Sequence, residues 1–470
     1  MASLKGKKVL VMGLGLHGGA LGTIEWLISQ GAEVTATDMK TAEQLAPTLK
    51  KLEKYPTIRY VLGRHDEADF IGSDMVIRNP SVPKNSKFLQ LARKHSIPVE
   101  MDSSLFFEYS PTQDIVGVTG SKGKTTTANA IATMLDYLVN EKRVDLSTVA
   151  VGIDGVSPLG RLANIRKDGP VVFELSSWRL EALIEKGISP QIAVVTSIYK
   201  DHLNTYSSFQ EYIETKKGIF KFQGADSITI LNADDAEIKT WEKEVPGKLY
   251  WYAMREVESG QGIFIRHGLV IIRDEAGEHE LLHMEDLPLA YEHEQRNLLP
   301  AMLIGYLKGM PVEDVVVAIK LVVGLPHRLE VVAEIDGVTY INDSAATMPD
   351  ATIAALKSLA DKSIVHILGG SDKALEFEEL AAVEGKANIR ALVWLPGTAT
   401  QRMKQLVLSQ VSDVPVFDAD SMESAVELAK QAAKPGDVIL MSPGATSFGL
   451  FLHEFDRGDK FRAAVKKLLP

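Results

Sequence analysis

Short apolar segments alternate with amphipathic segments of helical length along nearly the whole chain. Residues 7–38, KKVLVMGLGLHGGALGTIEWLISQGAEVTATD, follow the order strand, glycine turn, helix, strand. Continuous apolar runs of about four to eight residues are typical of strands that are buried on both faces. Because such runs alternate with helical segments, the pattern predicts an α/β protein built on largely parallel sheets.

Turn-rich stretches divide this pattern into three predicted domains. YSPTQD at 109–114 separates the first block from the second, and a further boundary is expected near Gly324. A hairpin-like insert is predicted at 262–284, and a last helix is predicted to run to Pro470. The expected domains are an N-terminal Rossmann-like domain at 1–111, a central domain at 112–323 and a C-terminal Rossmann-like domain at 324–470.

Composition and charge exclude several kinds of chemistry and argue against several kinds of binding partner. The 470 residues include no cysteine, which excludes disulfides, thiol catalysis and thiolate metal sites. The formal net charge of −11 argues against the basic surface that sequence-independent nucleic-acid binding requires. No apolar run reaches the roughly 18 residues of a membrane span. We therefore expect a cytoplasmic, monomeric protein that binds neither nucleic acid nor membrane.

A first glycine motif, G-x-G-x-x-G, lies at 13–18 between a predicted strand and a predicted helix, and Asp38 ends the next strand. Glycines at this position let the backbone approach a pyrophosphate at a helix N-terminus, and a carboxylate there can bind a ribose. Taken alone, the motif favours an NAD-dependent dehydrogenase, or a tight turn without a ligand. The rest of the chain offers no obvious site for hydride transfer.

The second glycine motif, VTGSKGKTTT at 118–127, follows a predicted strand and opens a predicted helix. Its backbone can wrap a triphosphate, Lys124 can reach the β- and γ-phosphates, and the Thr125 hydroxyl can ligate Mg²⁺. The usual phosphate loop has a glycine where Val118 stands, and a solvated glycine loop is the alternative. The predicted ATP-binding residues of this P-loop-like central domain are Gly120, Ser121, Lys122, Gly123, Lys124, Thr125 and Thr126.

The T-G-x-x-G-K-T-T variant resembles the superfamily of Mur ligases and folylpolyglutamate synthetases. Further segments resemble this superfamily, in its order along the chain: FELSSWRLE at 173–181, TSIYKDHLNTYSSFQEYIETKKGIF at 196–220, HEQRN at 293–297, GLPHRLE at 324–330, YINDSAAT at 340–347, ILGGSDK at 367–373 and MSPGATSFGLFLHEFDRGDKF at 441–461. Together they span the chain. The segments of the C-terminal domain resemble those of the glutamate-adding members of the Mur ligase family.

The resemblance implies an ATP-dependent ligase of peptidoglycan precursor synthesis. Its expected reaction joins D-glutamate to UDP-N-acetylmuramoyl-L-alanine through an acyl phosphate, and the first glycine motif would then hold UDP instead of NAD. Arg179 stands where the family pattern has glutamine, and Ala345 where it commonly has lysine. These departures keep open a ligase that adds L-glutamate or another amino acid. The sequence is also compatible with a folylpolyglutamate synthetase, an NAD-dependent dehydrogenase or a nucleotide-sensing binding module.

The resemblance also implies roles for residues around the ATP site. The expected catalytic residues are Lys124, Glu174, His202 and Lys216. The residues expected to bind two Mg²⁺ ions are Thr125, Glu174, His202 and Lys216. Lys216 aligns with a lysine that is carbamylated in the family, and its spacing favours it over the adjacent Lys217, with a solvated helical lysine pair as the alternative. Asn297 is expected to contact adenine. Arg328 and Asp343 are expected to reach ATP after domain closure, or else to form surface salt bridges.

The remaining expected residues bind the other two substrates. The positions matched to UDP are Leu16, His17, Asp38 and Lys40. For glutamate, the resemblance assigns Thr347 and Lys373 to a carboxylate, and Ser447 and Phe455 to the lining of the site. A cation and hydroxyl groups suit a dianionic amino acid.

Overall fold

Three sheets organise the protein in a computed structural model that describes residues 3–16, 18–80, 82–141, 148–153, 156–199, 205–289, 291–372 and 375–469. The chain divides into two compact units, Met1–Val322 and Val323–Pro470. The first unit carries two of the sheets and the second unit carries the third. The predicted α/β class with three sheet-bearing domains is confirmed, whereas the exact domain boundaries stay predictions.

The N-terminal sheet is parallel and has the order β3-β2-β1-β4-β5. Its strands are β1 (Lys8–Met12), β2 (Glu33–Asp38), β3 (Arg59–Leu62), β4 (Met75–Arg78) and β5 (Val99–Glu100). Its helices are α1 (Gly19–Ser29), α2 (Ala46–Leu52), α3 (Glu67–Ile71), α4 (Lys87–Lys94) and α5 (Asp102–Tyr109). Because the strand order reverses at β1, a crevice for ligands is expected at the carboxyl end of this strand, where the first glycine motif lies.

The central sheet has nine strands in the order β14-β13-β12-β11-β10-β9-β6-β8-β7. They are β6 (Ile115–Thr119), β7 (Val149–Val151), β8 (Val171–Glu174), β9 (Ile192–Val195), β10 (Ile228–Asn232), β11 (Lys248–Ala253), β12 (Gly262–Arg266), β13 (Leu269–Arg273) and β14 (Glu278–His283). The helices are α6 (Lys124–Glu141), α7 (Ser177–Lys186), α8 (Phe209–Lys217), α9 (Ala236–Lys239), α10 (Glu292–Leu307) and α11 (Val312–Ile319). The predicted hairpin is confirmed as the antiparallel strands β12, β13 and β14, which extend this sheet.

Burial explains the apolar runs of the central strands. Every residue of β6 and β9 is buried, as expected for strands covered on both faces. Helices α6 and α10 pack together on one face, where the thioether of Met134 leaves no room for a side chain at Gly305. The carboxyl ends of β6, β8 and β9 therefore meet at one edge of a tightly packed core.

The C-terminal sheet has the order β15-β16-β20-β17-β18-β19, in which β15 and β16 are antiparallel and the other neighbouring pairs are parallel. Its strands are β15 (Glu330–Ile335), β16 (Val338–Asn342), β17 (Ile364–Leu368), β18 (Ile389–Trp394), β19 (Val416–Asp418) and β20 (Val438–Met441). Its helices are α12 (Pro349–Ser358), α13 (Glu378–Glu384), α14 (Thr400–Leu408), α15 (Met422–Ala432) and α16 (Glu454–Lys466). Helix α16 ends at Lys466, since the N–H of Leu468 bonds the carbonyl of Val465 in a tighter turn, and Pro470 lies outside the described residues.

None of the helices in the described part of the chain combines the length and the apolar character needed to cross a bilayer.

Two buried ion pairs on helix α7 join the central sheet to the N-terminal sheet. Nη2 of Arg78, at the end of β4, donates to Oε2 of Glu181 at 2.7 Å. Nη2 of Arg179 donates to Oδ2 of Asp102, at the start of α5, at 2.9 Å. All four side chains are buried. Charges removed from water need good geometry and full hydrogen bonding, so the loss of one partner is costly.

We predict that Glu181→Gln destabilises the protein by about 3–5 kcal/mol, because it leaves the guanidinium of Arg78 buried without a counter-charge. The matched control is Glu185→Gln on the same helix. This substitution breaks the exposed pair with Arg93 and is expected to cost about 0–1 kcal/mol. Urea unfolding followed by circular dichroism measures both losses. Equal losses in the two variants would contradict the prediction.

Candidate active site

The loop between β6 and α6 is packed so closely that two of its positions admit only glycine. Gly120 has a φ of 150° and Gly123 a φ of 83°, both in the range that favours glycine. A Cβ atom at position 120 would collide with the hydroxyl of Thr196. A Cβ atom at position 123 would lie 2.5 Å from Oδ1 of Asn297. The second glycine motif thus forms a tight loop that contacts the segment after β9 and helix α10.

The segment that follows β9 fixes the shape of this loop. The backbone N–H of Ser121 donates to the carbonyl of Ser197 at 2.7 Å, and the N–H of Lys122 donates to the hydroxyl of Ser197 at 3.0 Å. The hydroxyl of Thr196 donates to the carbonyl of Lys122 at 2.5 Å. Sequence reasoning did not single out Thr196 and Ser197, although both lie in a segment that it matched to the family.

Lys124 and Thr125 begin helix α6 and point to the loop and to the neighbouring strand. Nζ of Lys124 donates to the carbonyls of Gly120 and Ser121, each at 3.1 Å. The hydroxyl of Thr125 donates to Oε2 of Glu174, at the end of β8, at 2.8 Å. The first turn of a helix offers N–H groups that no intrahelical carbonyl accepts, and its dipole favours anions. The structure therefore brings an ammonium group, a helix N-terminus, a hydroxyl and a carboxylate together at one loop.

Of the two adjacent lysines of α8, Lys216 faces the loop. Its ammonium group is buried, and its Nζ lies 3.1 Å from the hydroxyl of Thr119 and 3.1 Å from the carbonyl of Gly120. The ring centroid of Tyr212 is 5.3 Å away. Lys217 instead pairs with a glutamate from another part of the chain, Glu244, at 2.7 Å. The two lysines thus differ in their surroundings, and the assignment of Lys216 as the modified residue stays a prediction.

Helix α10 brings Asn297 to the loop, where its amide contacts Gly123. One turn earlier, the ring of His293 stacks on Tyr291 at 6.0 Å between centroids. Burial, together with the nearby charge of Arg296, lowers the pKa of His293 to about 4. This histidine is therefore a neutral ring near pH 7. The predicted contact of Asn297 with adenine stays a prediction, and His202 lies outside the described residues.

The first glycine motif is held by Asp38. Oδ2 of Asp38 accepts hydrogen bonds from the N–H groups of Leu14 at 2.8 Å and of Gly15 at 3.3 Å. Its Oδ1 accepts from the N–H of Lys40 at 2.9 Å. The carboxylate thus shapes the loop itself. Leu16 and the side chain of Lys40 are exposed, whereas His17 lies outside the described residues.

In the second unit, the ends of β16 and β20 bring Asp343 and Ser442 together. Oδ2 of Asp343 accepts from the Ser442 hydroxyl at 2.7 Å, and Oδ1 accepts from the N–H of Leu329 at 3.2 Å. Burial raises the pKa of Asp343 to about 6. The preceding loop places the exposed Arg328 between two buried residues with positive φ, His327 at 63° and Leu329 at 42°. Strain of this kind is concentrated at functional sites.

The predicted glutamate-binding residues of this unit differ in their surroundings. Ser447 is buried, and its hydroxyl has no hydrogen-bond partner within the part of the chain that the structure describes. A buried hydroxyl without a partner is a position at which a ligand can form a hydrogen bond. Thr347 and Phe455 are half-buried, and Lys373 lies outside the described residues.

A residue that sequence reasoning missed, Arg457 of α16, connects the loop after β16 to the loop after β20, which contains Ser447. Its guanidinium is buried and donates to the carbonyl of Ser344 at 2.8 Å and to the carbonyl of Ala445 at 3.1 Å. Burial lowers its pKa to about 10, so the group stays charged near pH 7. Its place in the HEFDRGD segment was the available signal in the sequence, but its partner Ser344 lies 113 residues away along the chain.

Comparison with known proteins decides the family. Three family models match successive parts of the chain: the Mur ligase MurD-like N-terminal domain at 7–100, the Mur ligase middle domain at 118–304, and the Mur ligase glutamate ligase domain at 327–444. The chain is 40% identical to a UDP-N-acetylmuramoylalanine–D-glutamate ligase of Roseiflexus sp., over 98% of this chain and 99% of the relative. The chain belongs to the Mur ligase family. The resemblance inferred from the sequence is thereby confirmed.

Two further comparisons agree with this assignment. The Mur ligase is 34% identical to a UDP-N-acetylmuramoylalanine–D-glutamate ligase of Borreliella afzelii, over 99% of both chains. Among solved structures, it resembles the UDP-N-acetylmuramate-alanine ligase MurC of Thermotoga maritima with a TM-score of 0.60 and 19% identity, covering 98% of this chain and 99% of the other. At that identity, the likeness shows the fold alone.

We predict that the stability of the Mur ligase falls as the pH rises through about 6, because Asp343 titrates. The folded pKa of about 6 lies above the ordinary value of 3.8, so the folded state holds the proton more tightly. The stability from the neutral acid is fully present below pH 3.8 and is lost as the pH rises through the folded value. Two pKa units correspond to about 3 kcal/mol.

The variant Asp343→Asn removes this titration. Compared with the unmodified protein, it should gain up to about 3 kcal/mol of unfolding free energy between about pH 4 and pH 7. Urea unfolding at a series of pH values measures the difference. The control Asp361→Asn changes a side chain that is 73% exposed and should leave the pH profile unaltered. Parallel profiles for Asp343→Asn and the unmodified protein would rule out the effect.

Proposed function

We propose that this Mur ligase joins D-glutamate to UDP-N-acetylmuramoyl-L-alanine at the expense of ATP, in peptidoglycan precursor synthesis. The observation that carries the proposal is the 40% identity, over nearly the full length of both chains, to a relative named as a ligase of this kind. The loop at 118–127 supports the ATP dependence. The ATP dependence in turn supports a cytoplasmic location.

The proposed reaction has two steps. The carboxylate of the alanyl group takes the γ-phosphoryl group of ATP, which forms an acyl phosphate and releases ADP. The amine of glutamate then attacks the acyl carbon, the carbon–oxygen bond to phosphate breaks, and the amine loses a proton. The first step needs little covalent help from a protein, so positioning and neutralisation of charge supply most of the catalysis.

The residues at the loop fit the requirements of a triphosphate. Gly120 and Gly123 let the loop pack closely on Thr196 and Asn297, and glycine-rich loops of this kind present backbone N–H groups to phosphate oxygens. The ammonium of Lys124 now rests on two loop carbonyls and can exchange them for phosphate oxygens. Thr125 and Glu174 offer a hydroxyl and a carboxylate, the oxygen ligands that Mg²⁺ prefers. When bound, Mg²⁺ would neutralise charge on the phosphates.

We assign a second Mg²⁺ to His202 and a carbamylated Lys216. The support for Lys216 is its position, because its buried amine touches a hydroxyl and a carbonyl at the loop. Carbamylation joins carbon dioxide to the neutral amine and releases a proton. Conversion of the amine to a carbamate removes its positive charge and supplies two oxygens that share a negative charge. The role of His202 rests on the family resemblance.

The glutamate site is assigned to the second unit. Its support is the buried hydroxyl of Ser447, which no described residue satisfies and which can bond a carboxylate of the amino acid. Arg457 bonds the carbonyl of Ala445, two residues before Ser447, and the carbonyl of Ser344. Thr347, Lys373 and Phe455 complete the proposed site.

We predict that phosphate release by the protein requires ATP, Mg²⁺, UDP-N-acetylmuramoyl-L-alanine and D-glutamate together. Lys124→Ala should lower kcat by about 10²–10³-fold or more, because it removes a positive charge that touches the loop. The control Lys167→Ala alters an exposed lysine of the same unit and should retain full activity. Absence of amino-acid-dependent phosphate with either isomer of glutamate would refute the function. Release with L-glutamate alone would correct the stereochemistry.

We predict that labelled bicarbonate gives a carbamate signal in the nuclear magnetic resonance spectrum of the protein. The signal should disappear in Lys216→Arg and persist in Lys217→Arg, because only the first of these amines faces the loop. Loss of the signal in Lys217→Arg but not in Lys216→Arg would show that Lys217, and not Lys216, is the modified residue. Its absence from the unmodified protein would argue against carbamylation.

A further inference from the structure

His366, in the middle of β17, and Glu384, at the end of α13, form an ion pair in the core of the second unit. Nδ1 of His366 lies 2.6 Å from Oε1 of Glu384, and neither side chain has any exposed surface. The other oxygen of Glu384, Oε2, has no hydrogen-bond partner within the described part of the chain. Burial of two charges is costly, and apolar side chains of similar volume are often at least as stabilising. The stability of the core therefore gives no reason for two charges at these positions.

The ring of His366 carries a proton on each nitrogen. Its Nε2 lies 2.9 Å from the carbonyl oxygen of Ser442, which can only accept a hydrogen bond, so Nε2 is protonated. Burial opposes a charge on the ring, but the charge and the hydrogen bond of Glu384 outweigh burial, and the pKa of His366 is raised above its ordinary value. The proton between Nδ1 and Oε1 is thus assigned to the ring, which makes the ring an imidazolium.

Ser442, directly after β20, connects this ring to Asp343. Its carbonyl oxygen accepts from Nε2 of His366 at 2.9 Å, and its hydroxyl donates to Oδ2 of Asp343 at 2.7 Å. The hydroxyl of Thr352, on α12, donates to the same carbonyl at 3.2 Å. Along this chain of hydrogen bonds, the positive ring is the end of the ion pair that is nearer to Asp343, and the carboxylate of Glu384 is the far end.

Three cations act on the carboxyl group of Asp343 from three different elements. They are Arg328 in the loop before β15, His366 on β17 and Arg457 on α16. Burial raises the pKa of Asp343, and the charges of Arg328 and His366 act in the opposite direction. Arg328 is exposed and is itself expected to reach ATP, whereas His366 is fixed in the core. The ring of His366 is therefore a permanent positive charge behind Asp343, in a place from which water is excluded.

We propose that His366, held by Glu384, is a positioning residue for the contact of Asp343 with ATP. The inference rests on the proposed function, since the family resemblance assigns Asp343 to ATP. An ionised carboxylate only accepts hydrogen bonds, as donors such as the ribose hydroxyl groups of ATP require. The imidazolium favours this form of Asp343, and the hydrogen bonds through Ser442 fix its direction. An uncharged pair of the same shape keeps the direction but loses the electrostatic effect.

The variant Glu384→Gln separates the charge of the pair from its shape. The glutamine amide can donate to Nδ1 of a neutral ring, and Nε2 can keep its bond to Ser442. Without the imidazolium, the carboxyl group of Asp343 should titrate about one pH unit higher. Carbon NMR of the ligand-free protein with labelled aspartate measures this titration, and Asp343→Asn identifies the signal. The matched control Glu379→Gln removes an exposed carboxylate from the same helix and should leave the titration unchanged.

Steady-state kinetics add a measurement that a merely structural role would not move. A shift of the Asp343 pKa from about 6 to about one unit higher leaves about a fifth of the ionised form at pH 6 and nearly all of it at pH 8. Glu384→Gln should therefore raise the KM for ATP about fivefold at pH 6 and less than about 1.5-fold at pH 8. The KM values for D-glutamate and UDP-N-acetylmuramoyl-L-alanine should change by less than about twofold at both pH values.

A third measurement uses the unmodified protein and does not depend on the folding of a variant. Nitrogen NMR with labelled histidine should show both ring nitrogens of His366 protonated at pH 7, where an ordinary histidine is mostly neutral.

The outcomes distinguish the inference from the function. An unmodified protein without ligase activity refutes the proposed function, and the two NMR measurements still decide the charge of the pair and its effect on Asp343. A neutral ring of His366, or an unchanged titration of Asp343 in Glu384→Gln, overturns the inference. It is also overturned by a rise in the KM for ATP that is equal at pH 6 and pH 8.

Discussion

Close packing around Gly120 and Gly123 is the constraint on which the proposed ATP site depends. The space that a side chain would need at these positions is taken by Thr196, after β9, and by Asn297, on α10. The shape of the loop therefore depends on two parts of the chain that lie about 70 to 180 residues downstream. The same packing determines the positions of Lys124 and Thr125, because these residues begin helix α6, which follows the loop directly.

Much of the central site can be predicted from short-range patterns in the sequence. The loop, its flanking strand and its helix follow from a glycine spacing and an apolar run, both of which are short-range signals. The selection of Lys216 over Lys217 also followed from spacing, because one step along a helix turns a side chain by about 100°. In the structure, that rotation directs one amine to the loop and the other to Glu244.

Asp38 shows where local sequence was insufficient. A carboxylate at the end of β2 suits a ribose and equally suits the amides of the glycine loop beside it, and the chain pattern is the same in both cases. The structure shows that both carboxylate oxygens bond backbone N–H groups. Arg179 and Arg457 illustrate the second limit, since their partners lie 77 and 113 residues away along the chain. Hydrophobic periodicity identifies buried faces but carries no information on such pairing.

The two edge strands of the nine-stranded sheet affect how readily two molecules can associate through their sheet edges. An exposed sheet edge offers unpaired backbone groups to another chain, and charged or very short edge strands counteract this. At one edge, β14 presents Glu278 and Glu280, and Glu278 also pairs with Arg273 of the adjacent β13 and with Arg266 at the end of β12. At the other edge, β7 is three residues long. The hairpin that widens the sheet thus also ends it with a charged border, which disfavours edge-to-edge aggregation.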